Sequence, residues 1–132
     1  MEFALFAPAG VELKLLSDAA GYKETLLPAF QKWAEQYGAT RPVEVRIAPA
    51  QSLHDRLMVV DGTSVWTVDQ SFNELAVRAS TSFVKIGADT AELKIRAHRD
   101  TWNSANILTD APLAKLMASS KEHQPIRLVV TP

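Results

Sequence analysis

A chain of 132 residues, 47% apolar and 22% charged, has the length and usage of one globular domain and argues against collagen-like, coiled-coil and disordered architectures. Fourteen Lys and Arg against 15 Asp and Glu give a net charge of -1, so there is no global pull toward nucleic acid or anionic membrane. The lack of cysteine excludes disulfide frameworks, thiolate nucleophiles and cysteine-based zinc sites. No apolar run is long enough to span a bilayer, and the start at Glu2 without basic residues argues against a secretory leader. A cytoplasmic protein is expected.

Residues 2–9 are short and apolar and read as the last turns of a helix, closed by Pro8 and Gly10. Val11, Leu13 and Leu15 alternate with Glu12 and Lys14, the period of a strand with one buried face. Residues 17–21 read as a loop. Over 23–37 the set Leu26, Phe30, Trp33 and Tyr37 recurs at helical spacing, with Gly38 where a C-terminal cap belongs. Pro28 fits near the first turn, where its missing N–H leaves no hydrogen bond unmade. Val43, Val45 and Ile47 alternate with Glu44 and Arg46 in a second strand. The continuous apolar run 57–60 has the pattern of a strand buried on both faces. Asp61-Gly62 is a turn signal, and 65–68 returns as the other arm of a hairpin. Residues 82–86 make a further strand. Asp89 with Glu92 three residues on resembles a capping box, opening a helix toward Leu108. Asp110 and Pro112 open a last helix to about Ala118, and 126–130 is a final strand. The sum is an α/β fold, a mixed sheet flanked by helices, in a single domain over 1–132.

Chemistry concentrates between Leu53 and Asn73. His54 and Arg56 stand two apart, and an extended strand start would project them from one face. An imidazole beside a guanidinium suits a phosphate site: one attacks or donates a proton, the other holds charge. Asp61 reappears at the far end of the apolar run, and Ser71 and Asn73 follow the returning strand, a hydroxyl and an amide able to hydrogen-bond a phosphoryl oxygen or orient the histidine. Asp61 also suits a hairpin turn, and Ser71 and Asn73 also suit a loop capping a short helix. Trp33 and Trp102 read as core anchors on their helices. His98, among Arg96, Arg99 and Asp100, reads as exposed, and His123 as a loop residue. Arg78, Lys85, Lys94, Arg96 and Arg99 read as solvated surface, with a phosphate-backbone path as the alternative.

These residues resemble one half-domain of the phospholipase D superfamily, whose signature is His-x-Lys, four residues, Asp, then Gly-Ser-x-Asn. His54, Asp61, Ser71 and Asn73 match it in order; Arg56 stands at the lysine and Gln70 at the glycine, and the interval from Asp61 to Ser71 is about two residues longer than usual. The resemblance implies a phosphohistidine intermediate formed by His54, phosphoryl oxygens held by Arg56, Ser71 and Asn73, and Asp61 orienting the histidine or a neighbour. It implies no metal and no cofactor. It also implies a second motif, from a homodimer or another motif-bearing chain, around a nucleic acid or other phosphodiester. The family's half-domain opens with a further strand and helix before Val11; either the sheet is a strand short or 126–130 fills the vacancy. The alternative function is a degenerate domain that binds a partner or phosphorylated ligand without turnover.

Overall fold

A computed structural model describes residues 7–69 and 80–108, together with the backbone of 127–131. Among them are seven strands and two helices: β1 (Glu12–Asp18), α1 (Leu26–Tyr37), β2 (Val43–Ala48), β3 (Leu57–Val60), β4 (Ser64–Val68), β5 (Phe83–Lys85), α2 (Ala88–Ser104), β6 (Asn106–Ile107) and β7 (Arg127–Thr131). The strands form one mixed sheet in the order β5-β4-β3-β7-β1-β2-β6. The fold is therefore α/β. The helices expected over 2–9 and 110–118 lie outside the described residues.

β1 and β2 run parallel with α1 as their crossover. β7 lies antiparallel to β1 and parallel to β3. The strand expected over 126–130 thus takes an interior position, between β1 and β3. β3 consequently runs opposite to β1 and begins at the sheet edge where β1 and β2 end. That edge, the carboxyl end of a parallel pair, is where α/β sheets commonly place ligands.

Strand alternation assigns each face its helix. Leu13 and Leu15 of β1 join Val45 and Ile47 of β2 against Leu26 and Trp33 of α1. On the other face Leu16, Ala48 and Leu53 meet Trp102 and Ala105, and Leu57, Val59 and Val65 meet Ala91 and Ile95. In β3 only Leu57 and Val59 are buried; Met58 and Val60 are half-buried, so the apolar run does not mean equal burial on both faces.

Several boundaries differ from the sequence expectation. β1 continues through Ser17 and Asp18, both fully buried although polar, with the Gly21 N–H donating to Asp18 Oδ1 at 2.8 Å. Gly38 is the C-cap of α1, as its place in the sequence suggests, and takes a right-handed conformation (φ -56°) with its N–H donating to the Ala34 carbonyl. Gly87, not Asp89, is the N-cap of α2; Asp89 lies in the first turn, where its charge complements the helix dipole but makes no cap hydrogen bond. α2 stops at Ser104 because the next residues leave to pair with β2.

Candidate functional site

After β2 the chain turns tightly: the Ser52 hydroxyl and N–H both donate to the Pro49 carbonyl, at 2.7 and 3.2 Å. Leu53 then enters the core beside Ala48 and Trp102. Anchored by that side chain, the following residues are presented at the surface, with His54 and Asp55 exposed. The Asp55 carboxylate pairs with the Lys94 ammonium of α2 at 2.5 Å, and the Arg56 carbonyl accepts the Val68 N–H at 3.0 Å. The loop is therefore fastened to the core, to α2 and to β4.

Between this loop and α2 opens a cavity of about 370 Å³. One wall carries Ser52, His54 and Asp55; the other carries Thr90, Lys94, His98 and Thr101. The α2 residues recur at three- and four-residue intervals and so share one helix face. The cavity combines an exposed imidazole, a buried one (His98, 9% exposed), an ammonium–carboxylate pair and hydroxyls. Such a set can bind an anion and move a proton.

His54 and Arg56 do not work from one face. The chain bends at Asp55 instead of running extended, so strand alternation does not govern these residues. His54 lines the cavity; Arg56 does not, and its Nη1 donates to the Asp69 carbonyl just past β4, at 2.6 Å. Arg56 Nε is buried without a partner among the described residues. Asp61 lies at the opposite end of β3 from His54, exposed in the hairpin turn. It adopts φ 53° beside Gly62 at φ 65°, with the Thr63 N–H donating to the Val60 carbonyl at 3.1 Å. That is the left-handed pair that favours Asp-Gly in hairpins, and the structure does not bring Asp61 to the histidine. Ser71, Asn73, Arg78 and His123 lie outside the described residues.

The sequence expectation missed Lys94 and His98 as neighbours of His54. His98 is buried, not exposed: its charged sequence neighbours misled, whereas the spacing Ala91, Ile95, His98, Trp102 places it on the sheet-facing stripe of α2. Among the described residues no cluster of three His, Asp or Glu could hold a metal ion. None of their helices is long and apolar enough to cross a membrane. No protein-family model, curated protein or solved structure matches the chain.

Proposed function

We propose that the chain is a metal-independent phosphodiesterase of phospholipase D type, working in the cytoplasm, with His54 as its nucleophile. The observation that carries this reading is an exposed His54 imidazole on the wall of a roomy cavity, followed in the sequence by Asp61, Ser71 and Asn73 in the order of the signature. A lone pair of the imidazole attacks phosphorus; the new N–P bond forms as the P–O bond to the leaving group breaks. An imidazolium gives the departing oxygen its proton. Water then attacks phosphorus, cleaves the N–P bond and restores the ring.

In this reading the second imidazole comes from another copy of the chain or a second motif-bearing partner, and the substrate is a nucleic acid or another phosphodiester. In the same reading Ser71 and Asn73 hold the phosphoryl oxygens, while Arg56 is given to the Asp69 carbonyl. Asp61 serves the hairpin.

Hydrolysis of bis-p-nitrophenyl phosphate and of single-stranded DNA, both in EDTA, tests the proposal. The His54→Ala variant is expected to lose activity by about a thousandfold or more, as removal of a nucleophile does. Equal rates in the two proteins would remove His54 from the mechanism.

One observation favours a second reading, a domain that binds a phosphorylated ligand or partner without turnover. The Arg56 guanidinium donates to a backbone carbonyl and is not among the residues that line the cavity. That reading expects no hydrolysis by the wild-type chain, alone or concentrated enough to dimerise.

A further inference from the structure

A phosphodiester is an anion, and attack at its phosphorus is favoured where a fixed cation holds the oxygens on which charge gathers. Arg56, the cation beside His54 in the sequence, does not line the cavity and donates from Nη1 to the Asp69 carbonyl at 2.6 Å. Apart from the two imidazoles, Lys94 and Asp55 are the ionisable side chains among the described residues of the lining. The other cations near this part of α2 lie elsewhere: Arg96 pairs with Glu92 at 3.0 Å, and neither Arg96 nor Arg99 lines this cavity.

Lys94 is placed both by the helix and by its contact. It stands four residues after Thr90 and four before His98, so the three share one face of α2 along the cavity wall. Its ammonium donates to Asp55 Oδ2 at 2.5 Å, and Asp55 directly follows His54 in the chain. Both side chains stay open to water, 29% and 48% exposed. An ion pair so exposed contributes little to the fold. An ammonium also carries three N–H donors, and the hydrogen bond to Asp55 occupies one of them. The others are left for oxygens of a ligand.

We infer that Lys94 is the cation that holds the phosphoryl oxygens of the ester attacked by His54, with Asp55 as its positioning residue. The inference rests on the reaction proposed above for His54. The ammonium bridges the Asp55 carboxylate and a non-bridging phosphoryl oxygen, so the ion pair need not break when the ester binds. The same contact neutralises Asp55, which would otherwise repel an anion at this wall. Sharing the ammonium weakens its hold on each anion and eases release of the product.

Hydrolysis of bis-p-nitrophenyl phosphate in EDTA and binding of inorganic phosphate to the full chain, against sodium chloride at matched ionic strength, test the inference together. Lys94→Gln should lower kcat/KM about ten- to a hundredfold, the loss expected when a hydrogen bond to a charged group goes, and should weaken phosphate comparably. Lys94→Arg, which keeps the charge, should recover most of both. Asp55→Asn breaks the same ion pair but keeps the ammonium, and should cost less than about fivefold. Equal losses in Asp55→Asn and Lys94→Gln would make the contact a mere fastening of the loop and overturn the inference, as would unaltered phosphate affinity in Lys94→Gln. Hydrolysis that needs His54 but not Lys94 would overturn the role of Lys94 and leave the nucleophile standing. Phosphate binding that needs Lys94, in a chain whose hydrolysis is untouched by His54→Ala, would keep the phosphoryl site and remove the nucleophile alone.

Discussion

Asp61 is held at φ 53°, a region that L-residues enter at a cost of about 1–2 kcal/mol and that Asp, Asn and Gly tolerate best. Its side chain is exposed, and the whole length of β3 separates it from His54. The residue therefore answers to the backbone rather than to the imidazole. Asp61→Asn and Asp61→Gly should keep the wild-type urea midpoint and any hydrolytic rate. Asp61→Val, β-branched and poorly suited to the left-handed region, should lose about 1–2 kcal/mol in the same melt. A collapse of activity in Asp61→Asn with stability intact would return the carboxylate to the chemistry. Here the sequence signature and the turn preference coincide on one residue, so Asp-Gly alone could not separate the two roles; a dihedral angle does.

Elements were legible where their period was strong. The alternation in β1 and β2 and the helical spacing of α1 follow from which side chains face the core, a local property of the sequence. Boundaries were less legible: a Ser-Asp pair shortly before a glycine has the composition of a loop, yet here both residues end a buried strand, with the Asp18 carboxylate accepting from the Gly21 N–H. α2 illustrates both sides. Its inward stripe ends in Trp102, buried against Leu16, Ala48 and Leu53. Leu93, on the same helix, is 64% exposed. Trp102→Ala should lower the unfolding free energy by about 3–5 kcal/mol, as deletion of a buried indole does, whereas Leu93→Ala should stay within about 0.5 kcal/mol of wild type. Chemical denaturation followed by far-ultraviolet circular dichroism distinguishes them. Comparable losses in both variants would mean that α2 is not fastened to the sheet through Trp102. The candidate site depends on this anchorage, since Lys94 and His98 line the cavity with His54 only while α2 lies across the sheet.

At the scale of the molecule the decisive feature is the place of β7. Its apolar character is visible in the sequence, but strand order is not, because pairing joins residues that are far apart in the chain, such as Glu12 and Thr131 or Met58 and Leu128, and no local period encodes a neighbour. β7 pairs with β1 on one side and β3 on the other, and so links the β1–β2 unit to the β3–β4 hairpin. Without it, both flanking strands would present a row of unmet N–H and C=O groups at what had been the middle of a sheet. The two parts would then be connected chiefly by the chain and by α2. A chain ending before Arg127 is therefore expected to lose its cooperative urea transition, while removal of a single edge pairing, by Val84→Pro in β5, should leave a cooperative transition at a lower midpoint. Tryptophan fluorescence follows both, with Trp33 reporting on the α1 face and Trp102 on the α2 face. If the shortened chain melted at the wild-type midpoint, the sheet would close without β7, and the loop carrying His54 would owe its position to β2 and α2 alone.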